Sequence, residues 1–228
     1  MKIPRILHQT WKSEDMPDNF RLMAQTWKEN HADWEYMLWT DEMNRDFVAT
    51  HFPDFLQVYD SYPTAIQRVD AVRYFILFKY GGFFVDLDFE CLACIEPIVN
   101  QAGCVFGLEP REHCDLHNKA FIISNAFMGT TAGSPFFQAL CEELHRNTTM
   151  TDHPNDRVLE TTGPFMLSRL YTAYIQKEEI ALLDAGLMYP LTKEELIVLS
   201  QGIQQNGVEE KINNAYGIHH YAGTWWKK

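Results

Sequence analysis

The run Gly81-Gly82-Phe83-Phe84-Val85-Asp86-Leu87-Asp88 constrains this chain more than any other segment. Aromatic and β-branched residues directly after a glycine pair read as a buried strand, and two carboxylates stand where that strand runs out. Strand side chains alternate faces, so positions two apart project together and Asp86 and Asp88 converge on one hard cation. In an open α/β sheet, ligands bind at the carboxyl ends of the strands. The segment upstream reads as a helix aimed at the same place. Thr64 is its N-cap, with Gln67 three residues on as the partner of a capping box. Val69, Val72, Ile76 and Tyr80 repeat at helical spacing, and Gly81 is the left-handed stop. Asp70 and Arg73 share one face of that helix. They serve either as an ion pair bracing the helix, or as the carboxylate and arginine that a sugar-phosphate ligand needs.

Strand and helix patterns alternate along the rest of the chain, which predicts an α/β sheet with helices on both faces. Asp18 caps a helix that runs to about Glu29, Trp34 to Trp39 form the second strand, and Thr40 or Asp41 caps a helix to about Phe52. Cys104 to Leu108 and Phe121-Ile122-Ile123 read as further strands. Ser134-Pro135 opens a helix with Phe137, Leu140, Cys141 and Leu144 as its apolar stripe. Pro164 opens another toward Tyr174, and Thr192 with Glu195 makes a capping box before Leu196 to Leu199. The stretch from Glu109 to Asn118, rich in charge and histidine, reads as a mobile loop over the site.

At 228 residues, 46% of them hydrophobic, the chain makes one domain with a sizeable core. No apolar run approaches the roughly 20 residues of a membrane helix. Met1-Lys2-Ile3-Pro4 leads into a strand rather than a signal peptide, so a cytoplasmic protein is expected. A formal charge of -12 argues against nucleic acid as a partner and against simple electrostatic attachment to anionic lipid. The five cysteines are an odd number, and Cys91-Leu92-Ala93-Cys94 lacks the second pair or nearby histidines of a zinc site. Reduced thiols are expected, with a Cys91–Cys94 disulfide as the lesser alternative. The sequon Asn147-Thr148-Thr149 is expected to go unused.

The stretches Gln67 to Tyr74 and Tyr80 to Asp88 resemble the sugar-binding region of the Asp-x-Asp glycosyltransferases of family thirty-two. Further blocks match in family order: Ile3 to Trp11, Trp34 to Trp39, Asn125 to Gly129, Thr162-Gly163-Pro164, and His219 to Trp225. The resemblance implies a single nucleotide-sugar-binding domain over residues 1–228, an α/β/α sandwich of the GT-A kind whose mixed sheet is mainly parallel. Residues 1–125 would form the nucleotide-sugar part, and residues 126–228 the acceptor side and a closing tail.

The implied chemistry is transfer of a hexose from a nucleoside-diphosphate sugar to a glycan or glycolipid acceptor, with retained anomeric configuration, as in bacterial surface polysaccharide synthesis. A uridine donor is preferred and GDP-mannose is the alternative. Asp86 and Asp88 would hold Mn²⁺, with Mg²⁺ a workable substitute, and His220, just before Tyr221-Ala222-Gly223, would complete the metal shell. By the same resemblance, Asp70 would bind ribose or sugar hydroxyls and Arg73 the sugar or phosphate, both joining the aspartates as catalytic residues. Trp11 would stack on the base, its alternative being core packing. Tyr80 and Asn125 would contact the donor, Thr224 and Trp225 would close over the diphosphate, and Thr162 and Gly163 would shape the acceptor end. Glu109 and Glu160 are the nearby carboxylates for a base. Such an enzyme would sit at the inner membrane face, weakly associated through its acceptor. Two readings from other classes stay open: a metal-dependent phosphohydrolase, and a non-catalytic carbohydrate-binding protein.

Overall fold

The computed structural model of the chain describes residues 2–99, 102–146 and 154–223. Its strands are β1 (Ile6–Thr10), β2 (Glu35–Trp39), β3 (Gly82–Val85), β4 (Phe89–Cys91), β5 (Cys104–Leu108), β6 (Ile123–Thr130), β7 (Ile180–Leu183) and β8 (Gly217–His219). The first four helices are α1 (Asp18–Asn30), α2 (Asp41–His51), α3 (Pro53–Ser61) and α4 (Ala65–Tyr80). After them come α5 (Glu96–Val99), α6 (Arg111–Leu116), α7 (Pro135–Arg146), α8 (Pro154–Thr161), α9 (Pro164–Ala173), α10 (Ala185–Met188), α11 (Lys193–Ser200) and α12 (Val208–Asn213).

Six strands form one sheet in the order β2-β1-β3-β6-β5-β7. β1 is parallel to β2 and β3, and β5 to β7, while β6 runs antiparallel to both β3 and β5. The fold is thus α/β with a mixed, mainly parallel sheet, as expected. Period-two alternation along β3 sorts its side chains to two cores. Phe84 joins Met128, Phe106, Leu77 and Phe137 on the α4–α7 side, whereas Phe83 and Val85 join Trp27, Phe127 and Val105 on the α1 side. Burial of both faces explains why this strand reads as an unbroken apolar run. β6 passes close to its neighbours because Gly129 has no side chain; a Cβ there would meet the Phe83 ring at 2.5 Å and Val105 at 2.8 Å. β4 and β8 make a second, two-stranded antiparallel sheet.

The joint between α4 and β3 is built as its sequence suggests. Thr64 accepts the Gln67 amide at the start of the helix, and Gly81 caps its end at a φ of 67°. Gly82 turns the chain into β3 at a φ of 91°, where any Cβ would lie 2.6 Å from the Ile6 carbonyl. Buried His8 accepts the Trp39 indole N–H on Nδ1 and donates from Nε2 to the Gly81 carbonyl, at 3.1 and 3.0 Å. Burial pushes its pKa down to about 4, so the ring stays neutral and the turn is pinned to β1.

Several local expectations are corrected. Asp18 is the first residue of α1 rather than its cap, which is Pro17. The strand expected at Phe121 begins only at Ile123 and continues to Thr130, so Asn125 lies within it. Part of the expected loop after Glu109 is α6. The five cysteines are free thiols. No described helix is long and apolar enough to cross a membrane. Asn147, Thr224 and Trp225 lie outside the described residues.

Candidate active site

β3 stops at Val85, one residue before the first aspartate. The Asp86 amide donates to the Ala126 carbonyl at 2.9 Å, and the Phe89 amide to the Asp86 carbonyl at 3.1 Å, which folds Asp86-Leu87-Asp88 into a turn between β3 and β4. The two carboxylates therefore converge through a turn, not through strand alternation. Leu87, between them, is buried with Met16, Phe20 and Ala24, and Trp11 and Ala222 pack on the same cluster. Trp11 is half-buried at the end of β1, with its ring 5.0 Å from Phe20.

The third group is a histidine from the far end of the chain. Asp86, Asp88 and His219 each offer one ligand atom, all within 4.8 Å of one another. This corrects the expectation of His220. In the β4–β8 ladder Phe89 lies opposite His219 and Glu90 opposite Ile218, so alternate β8 positions take opposite faces. His219 stacks on Phe89 and brings Nε2 to 3.2 Å from Asp88 Oδ1, while His220 turns away and donates to Glu90 Oε2 at 2.9 Å. The amides of His220 and Ala222 then donate to the Asp88 carbonyl and to its Oδ2, each at 2.8 Å.

Behind the turn, α4 contributes a buried network. Arg73 Nη2 lies 3.2 Å from Asp70 Oδ1 and 3.2 Å from Asp86 Oδ1, and Nη1 donates to the Asn125 carbonyl at 2.7 Å. Its guanidinium also sits over the Phe84 ring, 4.8 Å from the centroid. Asp70 accepts Asn125 Nδ2 on one oxygen and the Thr162 hydroxyl on the other, both at 3.1 Å, and the Tyr74 hydroxyl donates to the Thr162 carbonyl at 3.0 Å. Asp70 and Arg73 are therefore partners of each other and, through Asp86, of the turn as well.

Burial raises the pKa of Asp70 although Arg73, Thr162 and Asn125 oppose it. Burial also raises Asp86, against Arg73 and with the help of the Asp88 charge, to about 6. Asp88 goes the other way: burial works to raise it, but His219 and the Ala222 amide outweigh that and hold it at about 2. Desolvation of the His219 ring works to lower its pKa, but the Asp88 carboxylate overcomes it and the value is raised. The two carboxylates thus differ in proton affinity because burial and the Asp88 charge outweigh Arg73 at Asp86, whereas His219 and the Ala222 amide outweigh burial at Asp88.

Tyr80 is corrected. It lies at the amino end of β3, the opposite end from the aspartates, and packs with His8, Trp39, Phe47 and His51. Glu109 comes close to the site, but its Oε2 accepts from His113 at 2.9 Å and from the Tyr221 hydroxyl at 3.2 Å. Burial would raise this carboxyl; the His113 bond and His219 bring it below the ordinary value, which suits a poor base. Glu160 is tied to Lys119 and Arg169 at 3.3 and 2.7 Å. Gly163 caps α9, and its neighbour Thr162 serves Asp70. Sequence reasoning missed His219 and the contacts of Glu109 and Tyr221; a β4–β8 pairing would have exposed them, but three-residue strands carry too little periodicity to be read. Beside His220 and Tyr221 runs a groove of about 350 Å³ whose other wall is Lys193, Leu196, Ile197 and Leu199 of α11, a helix without a buried side chain.

Residues 17–104, which include the Asp-x-Asp turn, match a family described as a glycosyltransferase sugar-binding region containing a DXD motif. Inositol phosphoceramide mannosyltransferase 3 of Schizosaccharomyces pombe is 40% identical over 172 residues, 75% of this chain and 46% of that protein. Inositol phosphoceramide mannosyltransferase 1 of the same yeast is 30% identical over 219 residues, 92% of this chain and 65% of that protein. The chain thus spans slightly less than half the length of four of the curated relatives it matches. Among solved structures, a glycosyltransferase involved in glycosylation of the major capsid of PBCV-1 shares the fold at a TM-score of 0.55 and 8% identity, over 96% of this chain and 95% of that one. The chain belongs to the family of glycosyltransferases whose sugar-binding region carries a DXD motif.

Proposed function

We propose that this chain moves mannose from GDP-mannose to the headgroup of an inositol-phosphate glycolipid, with a divalent cation and with retention of anomeric configuration. The observation that carries the reading is the convergence of Asp86, Asp88 and His219 within 4.8 Å, beside a buried arginine. Two carboxylates and an imidazole are a hard, mixed donor set that suits Mn²⁺, with Mg²⁺ able to substitute. The cation, when bound, supplies Lewis acidity to the departing diphosphate. Arg73 holds Asp86 in place and keeps positive charge next to the site, while Asp70 fixes that guanidinium with help from Asn125 and Thr162. Trp11, half-buried beside Leu87, offers an indole face to the base.

The choice of mannose and of guanosine over uridine follows the names of the relatives, which are inositol phosphoceramide mannosyltransferases. The inositol-phosphate acceptor likewise follows those names. The test is a binding screen of GDP, UDP, GDP-mannose and UDP-hexoses with and without Mn²⁺, followed by product analysis with inositol phosphoceramide. Turnover of GDP-mannose alone supports the reading. Turnover of UDP-hexoses alone overturns the donor, release of phosphate from simple esters points to a phosphohydrolase, and glycan binding indifferent to nucleotide points to a carbohydrate-binding protein.

A further inference from the structure

Tyr221 has a left-handed backbone, with a φ of 46°. Residues other than glycine hold that conformation only where their surroundings over-determine it, and such positions gather at functional sites. Here the surroundings are specific. The Tyr221 ring stands edge-on between His113 and His219, with centroids 4.9 and 4.3 Å away. Its hydroxyl donates to Glu109 Oε2 at 3.2 Å, and His113 Nδ1 meets the same oxygen at 2.9 Å. Glu109 follows β5 directly, so its backbone is set by the main sheet, and its side chain is 12% exposed. On either side of Tyr221 the chain wraps Asp88: the His220 and Ala222 amides donate to it, and His219 Nε2 faces it at 3.2 Å.

We infer that Glu109 is a positioning residue that acts through the Tyr221 hydroxyl to hold the segment 219–222 around Asp88. The tether joins the end of β5, in the large sheet, to the end of β8, in the small one. It fixes the His219 ring and the Ala222 amide before any ligand arrives. Occupied by Tyr221 and His113, the Glu109 carboxylate serves as an anchor instead of taking a proton from the acceptor. The consequence for cation binding rests on the function proposed above; the tether itself does not.

Tyr221→Phe deletes one oxygen and keeps the ring between the two histidines. It is compared with Glu109→Gln and with the double variant, by amide exchange in metal-free protein and by titration of Mn²⁺ followed by electron paramagnetic resonance. Outer-shell partners of a metal site are worth about 10-fold or more in affinity. The Ala222 amide should exchange about 10-fold faster in Tyr221→Phe while amides of β6 stay as protected as before, and Mn²⁺ should bind about 10-fold more weakly. Adding Glu109→Gln to Tyr221→Phe should speed Ala222 exchange no further, since the bond is already gone. Unchanged Ala222 exchange in Tyr221→Phe overturns the tether, and so do additive effects of the two changes. If Glu109→Gln does not fold, Tyr221→Phe decides alone. Failure of the wild-type protein to bind Mn²⁺ overturns the cation reading and leaves the exchange result standing.

Discussion

Arg73 reaches across from α4 to Asp86, with Nη2 3.2 Å from Oδ1, so one buried guanidinium ties the helix to the Asp-x-Asp turn. The same nitrogen lies 3.2 Å from Asp70, and the Arg73 side chain is only 2% exposed. A charge so enclosed is balanced by its partners and expensive to leave without them. Arg73→Ala should therefore cost about 3–5 kcal/mol of folding stability. Arg73→Lys keeps the charge and loses the planar fork that serves Asp70, Asp86 and the Asn125 carbonyl together, so it should fall between that variant and the wild type. Urea denaturation measures both. An Arg73→Lys variant with the wild-type midpoint would mean that the arginine serves a ligand alone.

The two aspartates should respond oppositely to amidation. Ionised Asp86 sits in a site that raises its pKa to about 6, so at pH 7.5 it weakens the metal-free fold by about 3 kcal/mol. Asp86→Asn should match or exceed wild-type stability there. Asp88, held near 2 by His219, stabilises the fold at neutral pH, and Asp88→Asn should lower stability by about 2 kcal/mol. Both variants should lose Mn²⁺-dependent nucleotide binding. Denaturation curves beside nucleotide titrations separate the effects; a stable Asp88→Asn protein, or an Asp86→Asn protein that still binds, contradicts the site.

Much of this was legible in the sequence, and the reasons are physical. Capping residues, helical spacing and a glycine pair located α4, β3 and the aspartates, because those signals are local and strong. The resemblance to a known family supplied Asn125 for the donor, Thr162 for the acceptor end and His220 for the metal. What remained hidden depends on tertiary pairing. His219 and His220 are neighbours in sequence, and only the register of β8 on β4 decides which of them faces Asp88. Tyr80 fits the helical stripe of α4, yet the helix length carries it to the wrong end of β3. The double duty of Arg73 requires Asp86 and Asp70 to meet at one guanidinium nitrogen, which no spacing rule contains.

Proton competition should govern cation binding. A cation needs Asp86 as carboxylate and His219 as neutral imidazole, so its apparent affinity should fall as the pH drops through about 6, by about tenfold per pH unit for each proton that must leave. Asp88 remains ionised across this range because its pKa lies near 2. The metal-free fold should show the reverse sign for Asp86: its stabilising contribution is complete below the unfolded carboxyl value of about 4 and is lost as the pH rises through about 6. Mn²⁺ titrations at pH 5, 6, 7 and 8 test the first statement. Affinity independent of pH over that interval rules out Asp86 as a ligand that must lose its proton.

The assignment of the third ligand separates two adjacent histidines. His219 Nε2 faces Asp88 at 3.2 Å, and the ring is packed between Phe89 and Tyr221, whereas the His220 ring bonds to the half-exposed Glu90. His219→Ala removes an imidazole from the cation site and the counter-charge that keeps Asp88 near 2. It should weaken Mn²⁺ binding by a factor of about 10–100 and destabilise the metal-free fold. His220→Ala breaks a partly exposed hydrogen bond and should cost about 1 kcal/mol or less, with Mn²⁺ affinity unchanged. Metal titration of the two variants side by side decides between them. If His220→Ala loses the cation and His219→Ala keeps it, binding must re-register β8 on β4, and amide exchange across Gly217 to Ala222 would change when Mn²⁺ is added.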